Sequence, residues 1–582
     1  MSDPATPHGP WHPGLKSQIP ARLLPLSTLF RPEAATRTYA EVQELSDATG
    51  LPPFDLAAFR PERLVAHEIL IRVTADLHIP DGPDYADLGV NLRGMVVAIL
   101  EGHVRPEMAS LVDAFDAFRA RIADRLQAEV APARDTSAAA EPPRPLLARL
   151  LRRPAPPPAP APDPMADGLG RLEDWTARAR RADDPIERAC AAALAWAAGA
   201  ILRTRGRLPA DPGILTGLAL ARICNDEGSR VIGQALAPIF DRAARSLGYT
   251  VLPTQAEPVI MNVKGASAAG KSTLRALQRD LAERLGVPWD DFALISPDYW
   301  RKFLLDYGSL GDDYKYAAAL TGHELAIIDQ KLDRYMADKA ESGQMTHLLI
   351  DRFRFDSFSA EKDRPADTRL LTRFGHRVYL FFVITPPEAT VERAWIRGLD
   401  TGRYKAVDDL LHHNVEAFTG MPQLFFSWAL ARDREVHFEF LDNSVPKGSR
   451  PRTIASGWNG RMAIYDAGGM LNVDRFRKIE IDATCPSDVY LPGAEDPASN
   501  TGFLRACLER MDSLRFVDPA DGTPWAIAER GTVVWRGDPP PDCPEAVRGL
   551  LDELGPEAGR GTPPEGGLDH RDELGSVVGR MV

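Results

Sequence analysis

Cysteine is scarce in this 582-residue chain. Its five copies, Cys190, Cys224, Cys485, Cys507 and Cys543, form no Cys-x-x-Cys pair and no zinc-ligand spacing. A disulfide framework is therefore excluded, and a reducing, cytoplasmic setting is expected. The first residues, Met1-Ser-Asp-Pro-Ala-Thr-Pro-His, lack the basic start and apolar core of an export signal. Long apolar runs are missing too. The most apolar helical stretch, Ala189 to Leu202, is alanine-rich, spans 14 residues and is flanked by arginines, short of the roughly 20 residues a bilayer requires. It reads as a buried helix, and no membrane is expected. Positive charge is in deficit, with 69 basic against 82 acidic residues and a formal net charge of -13, so nucleic acid is not an expected partner. Zincin chemistry is excluded as well. His67-Glu68 and His323-Glu324 each open a His-Glu-x-x pattern, but Ile71 and Ile327 stand where the second histidine belongs.

What is present is ordinary globular composition, 44% apolar and 26% charged. At about 150 residues per domain, the length allows roughly four domains. Proline is plentiful, and ten of the 50 copies lie between Pro142 and Pro164. That density favours extended chain without a core, so residues 131–165 are expected to be a linker or insertion. Inside it, Leu146 to Arg153 has a basic amphipathic pattern that reads as solvated linker. Residues 1–130 and 166–250 read as mainly helical, as one interrupted domain or two small ones. They carry no chemical motif, and a protein partner would engage this region.

The pattern changes at Pro258. The apolar run Val259 to Val263 has strand length and leads into Gly265, Ala266, Ser267, Ala268, Ala269, Gly270, Lys271, Ser272 and Thr273, a full G-x-x-x-x-G-K-[ST] string. Glycines let the backbone turn so that successive N–H groups converge on phosphate, while the following helix directs its positive end there. Leu274, Leu277, Leu281 and Leu285 mark that helix, and Gly286 stands at its end. Lys271 is expected to reach the β- and γ-phosphates of ATP, and the Ser272 hydroxyl to hold Mg²⁺.

Further strand candidates follow at residues 291–296, 347–351, 378–385 and 436–441, with helical segments between them. This alternation predicts a parallel sheet with helices on both faces over residues 256–446, with ligands at the carboxyl ends of the strands. Asp298, after the second strand, is placed to accept a hydroxyl proton, and Arg301 to bind an anionic substrate or orient that carboxylate. Asp351, after the third strand, is a candidate magnesium partner, while Asp356 reads as a loop acid. Thr321 and Glu324 have capping-box spacing and open a helix, where a substrate contact is possible. Arg393 and Arg397, followed by Gly398-Leu-Asp-Thr-Gly402-Arg403-Tyr-Lys405, suit a lid that stabilises transition-state charge. His412-His413-Asn414 reads as solvated or core histidine.

With the Gly265–Thr273 string, Pro297-Asp298-x-x-Arg301, the arginine-bearing lid and Leu441-Asp442-Asn443-Ser444, residues 256–446 resemble the zeta-toxin family of P-loop kinases. The resemblance implies a nucleoside-kinase-like fold, ATP with Mg²⁺ as donor, and an aspartate base acting on a sugar hydroxyl, often of a nucleotide sugar. By position it implies Lys271 and Ser272 for nucleotide and metal, Asp298 as base, Arg301 for substrate, Arg393 or Arg397 for the lid, and Asn443 beside the adenine. The chain departs from the family at Asp351-Arg-Phe-Arg-Phe-Asp356, where many members have Glu-Thr or Glu-Gly, and it lacks the paired arginines further along the lid. Acceptor identity and toxicity are therefore not carried over.

Residues 447–553 read as a small α+β appendage with hairpins around Asn459-Gly460 and between Trp525 and Trp535, and residues 554–582 as a disordered tail. The expected activity is transfer of the ATP γ-phosphate to an alcohol. The alternative is a nucleotide-gated interaction protein with little turnover.

Overall fold

The computed structural model describes residues 8–82, 86–131, 164–352, 375–446, 448–555 and 576–581. The bulk of the proline-rich segment, including Leu146 to Arg153, and Asp356 lie outside the described residues. The chain divides into two compact units, one of residues 24–68 with 100–242, the other of residues 1–23, 69–99 and 243–582.

The first unit is helical. Its helix Tyr39–Thr49 begins with a capping box between Thr38 and Glu41. Helix Met108–Val130 buries Leu111, Phe115, Phe118, Ile122 and Leu126, the apolar stripe of an amphipathic helix. Helix Pro185–Arg205 starts on the Asp184 N-cap and buries Cys190, Ala193, Leu194, Ala197 and Ala198. At 21 residues it is longer than the 14-residue apolar stretch of the sequence reading, and among the described residues it alone is long and apolar enough to cross a membrane. Here it is packed between helices Pro164–Arg181 and Pro212–Ile223. Small alanine side chains let neighbouring helices approach it closely.

The second unit is built on one mixed sheet of eleven strands, β1 (Val259–Lys264), β2 (Phe292–Ile295), β3 (His347–Ile350), β4 (Arg377–Ile384), β5 (Glu435–Asp442), β6 (Arg452–Trp458), β7 (Arg461–Ile464), β8 (Ser513–Val517), β9 (Pro524–Glu529), β10 (Thr532–Arg536) and β11 (Arg580–Met581). Their order is β10-β9-β8-β7-β6-β5-β4-β1-β3-β2, with β11 beside β6. Strands β2, β3, β1, β4 and β5 are parallel to one another. They are buried along nearly their whole length, as apolar runs flanked by helical segments should be.

The parallel pairing expected over residues 256–446 holds from β1 to β5, but the sheet does not stop there: β6 pairs antiparallel with β5 and leads into β7–β10. The supposed appendage is thus part of the same sheet. The chain end is also not all loose tail. Arg580 and Met581 pair with Arg452 and Thr453, and Val577 and Val578 are buried. The Glu439 carboxylate accepts the backbone N–H groups of Val578 and Gly579, both at 2.8 Å. Residues 69–99, read with the amino-terminal helices, belong to this unit as well. The Trp300 indole donates to Thr74 Oγ1 at 3.2 Å, and Lys339 bonds Asp76 at 2.6 Å.

Candidate functional site

Because β4, β1, β3 and β2 are parallel neighbours, the segments leaving their carboxyl ends gather along one edge. β1 runs into the Gly265–Gly270 loop, β3 into Asp351, and β2 into Ser296-Pro297-Asp298. Gly270 has φ 96°, and a Cβ there would lie 2.3 Å from the Asn443 amide nitrogen, so glycine is required. Ala268 adopts φ 61°, a left-handed conformation costing about 1 kcal/mol in a non-glycine residue. Such strain persists only where the surroundings enforce it.

Those surroundings converge on the Ala269 carbonyl, which accepts from Thr385 Oγ1 at 2.9 Å, Asn443 Nδ2 at 2.7 Å and Arg393 Nη1 at 3.4 Å. Arg393 also donates to the carbonyls of Asn443 (2.7 Å) and Val445 (3.0 Å). Its guanidinium thus buttresses the loop, and the side-chain amide of Asn443 is committed to the same task. Among the described residues, the backbone N–H groups of Ser267, Ala268 and Gly270 have no protein acceptor. Lys271 follows in a 3₁₀ turn, Lys271–Leu274, that leads into helix Arg275–Arg284. Its ammonium donates to the carbonyls of Gly265 (3.1 Å) and Ala266 (2.9 Å). Burial pulls the Lys271 pKa down, against the opposing pull of Asp351 and Asp298.

Ser272 Oγ donates to Asp351 Oδ2 at 3.0 Å. Asp351 is itself held by its backbone N–H on the Ile295 carbonyl at 3.0 Å. Behind it Arg352 is buried with a 2% exposed side chain and ion-paired to Asp329 and Asp333 of helix Gly322–Glu341. Lys264, fully buried at the end of β1, donates to the Arg352 carbonyl at 3.2 Å.

Asp298 lies in the turn Pro297–Trp300 and does not serve as a helix cap. Arg301 Nε donates to its Oδ1 at 3.0 Å, and an Arg403 guanidinium nitrogen pairs with Oδ2. Burial alone would push this carboxyl upward. The positive fields of Arg403, Arg301 and Arg397 outweigh it and hold Asp298 well below the usual carboxylate range. The side chain nonetheless keeps 39% of its surface open, so solvent screens part of those fields. Arg301 is further fixed by the Ala318 carbonyl at 2.6 Å and Thr321 Oγ1 at 3.0 Å.

The expected capping box at Thr321 does not form. The preceding turn Ala317–Leu320 is already helical, so Thr321 has helical φ and ψ and turns its hydroxyl back to the carbonyls of Ala317 and Ala318. Thr321 and Glu324 are both fully buried. Thr321 supports Arg301, and neither Thr321 nor Glu324 is open to solvent.

Of the arginines read as lid residues, Arg403 reaches Asp298, whereas Arg393 braces the Gly265–Gly270 loop. Arg403 follows Gly402, which ends helix Pro387–Thr401 with φ 73°. Arg397, on that helix, acts on Asp298 and Lys271 through its charge. Nearby, Lys405 lies against His413 and, at 3.3 Å, Asp409. Burial lowers Lys405 to about 8, with Asp409 opposing. Burial and the Lys405 charge lower His413 to about 2, so His413 is neutral at physiological pH. The sequence places Arg403 and Lys405 within the lid but ties neither to Asp298 or His413. Their only local signal is their position just beyond a helix-ending glycine.

No protein-family model, no curated protein and no solved structure matches this chain.

Among the described residues, no group of three or more His, Cys, Asp or Glu side chains could hold a metal alone. Ser272 and Asp351 offer a hydroxyl and a carboxylate, hard oxygen donors of the kind Mg²⁺ takes when ligand phosphates and water complete its coordination.

Proposed function

We propose that the chain is an ATP- and Mg²⁺-dependent phosphotransferase, a zeta-toxin-like P-loop kinase that phosphorylates a hydroxyl of a small molecule or nucleotide sugar. The observation that carries this reading is the contact between Ser272 and Asp351, made at the carboxyl ends of neighbouring parallel strands and directly beside Lys271. A strained turn with three amides that have no acceptor among the described residues, a half-buried lysine and paired hard-oxygen donors is the combination that polyphosphate binding demands.

In this reading the amides of the Gly265–Gly270 loop and Lys271 bind the donor phosphates, with Arg397 and Arg403 supplying further positive potential. Ser272 and Asp351 would hold Mg²⁺, which supplies charge neutralisation on the phosphate oxygens. Asp298 takes the proton of the acceptor hydroxyl. That oxygen bonds to the γ-phosphorus as the bond to the β-phosphate oxygen breaks, giving phosphorylated acceptor and ADP. The site is cationic although the chain carries a net charge of -13, so attraction for polyphosphate is local.

The second reading, a nucleotide-gated interaction protein, is favoured by one observation: both oxygens of Asp298 are engaged by guanidiniums, which weakens it as a base. A screen of hydroxyl acceptors with γ-labelled ATP separates the two. Transfer to a defined acceptor, lost in Lys271→Ala and Asp298→Asn, supports the kinase. Nucleotide binding without transfer to any acceptor supports the switch.

A further inference from the structure

We infer that Arg403 is an exchange residue: it masks Asp298 in the nucleotide-free protein and transfers to the donor phosphates when they arrive, so that donor binding exposes the base. The inference rests on the nucleotide-site reading above.

The geometry sets up the exchange. With Arg301 on Oδ1 and Arg403 on Oδ2, the carboxylate has a guanidinium on each oxygen. A carboxylate so engaged is a poor proton acceptor, so one arginine must leave before Asp298 can act on a hydroxyl. Arg301 is held in place by Asp298, the Ala318 carbonyl and Thr321, with its side chain 15% exposed. Arg403 comes from a loop, and its charge is felt at Lys271. A triphosphate carries more negative charge than one carboxylate and offers more acceptor oxygens, so it competes for this guanidinium.

The backbone around Arg403 stays anchored. Tyr404 is buried between Trp395 and Tyr314, with ring centroids at 5.5 and 5.7 Å, and packs so tightly on Gly398 that a Cβ there would lie 2.4 Å from the ring. The exchange is therefore a rotation of the Arg403 side chain and requires no loop opening. It also imposes order, because the base stays masked until the donor is bound.

A double-mutant cycle on the full chain tests this, with Mg²⁺ and the non-hydrolysable analogue AMP-PNP as probe and calorimetry as readout. Asp298→Asn releases Arg403 from its competing carboxylate, so it should tighten binding about tenfold, equivalent to about 1.4 kcal/mol. In an Arg403→Met background the same substitution should tighten binding less than about threefold, since only general repulsion is then relieved. Equal tightening in both backgrounds, or none in either, overturns the exchange and leaves the nucleotide site standing. Failure of the unsubstituted protein to bind the probe overturns the nucleotide reading and the exchange with it. Asp298→Ala and Arg403→Gln close a second cycle should either first variant fold poorly.

Discussion

Ser272 donates a hydrogen bond to Asp351 across 3.0 Å, and this contact joins residues that follow β1 and β3 at the same edge of the sheet. If the pair holds Mg²⁺, Asp351→Asn should weaken ATP binding only when magnesium is present. The expected loss is about 10- to 100-fold, the range seen when an oxygen ligand or its supporting group is changed. Titration with ATP in magnesium and again in EDTA checks it. An equal loss in both conditions would mean that Asp351 supports the fold of the loop rather than a metal.

Arg352 sits immediately behind that aspartate, 2% exposed, with Asp329 and Asp333 around it. Burial would lower its pKa, but the two carboxylates raise it, so the guanidinium stays charged. Removing one member of such a cluster strands the others without compensation. Arg352→Ala should cost about 3–5 kcal/mol in chemical denaturation. The triple change Arg352→Met, Asp329→Asn, Asp333→Asn should recover most of that loss, because no charge is then left unpaired. A triple variant as unstable as the single one would show that shape, rather than charge balance, dominates the site.

The parts of this fold legible in the sequence are those written locally. Strands β1 to β5 are apolar runs of strand length, and the spacing of Gly265, Gly270, Lys271 and Ser272 is a short-range pattern, so both could be placed without coordinates. Thr321 and Glu324 show how local spacing misleads. The capping-box pattern is present, but the chain before it is already helical, so no free helix start exists to be capped. Other features depend on contacts between distant segments and leave no local trace. Arg403 and Asp298 are 105 positions apart, and Arg352 meets Asp333 across 19. β7 and β8, parallel neighbours in the sheet, are separated by an entire helical excursion. A sequence reading finds Arg403 in a basic loop; only folding shows which carboxylate it meets.

Glu439 supplies the remaining test, on the chain end rather than the cleft. It is fully buried on β5, and its carboxylate accepts from Thr453, Val578 N–H and Gly579 N–H. Burial raises its pKa, and those three hydrogen bonds limit the rise. A carboxyl with a raised folded-state pKa contributes stability below its unfolded value and loses it as pH climbs through the folded one. Deleting residues 576–582 removes two of the three donors, so the folded-state pKa should rise further. The truncated chain should then be less stable than the full chain by about 1–3 kcal/mol for each unsatisfied hydrogen bond at neutral pH. The deficit should shrink at acidic pH, where Glu439 is protonated in both proteins. In the truncated chain, Glu439→Gln should restore stability at neutral pH and flatten the dependence. Urea unfolding of the three proteins at neutral and acidic pH measures this. A deficit independent of pH, or untouched by Glu439→Gln, would show that the terminal strand stabilises the sheet by its backbone pairing alone.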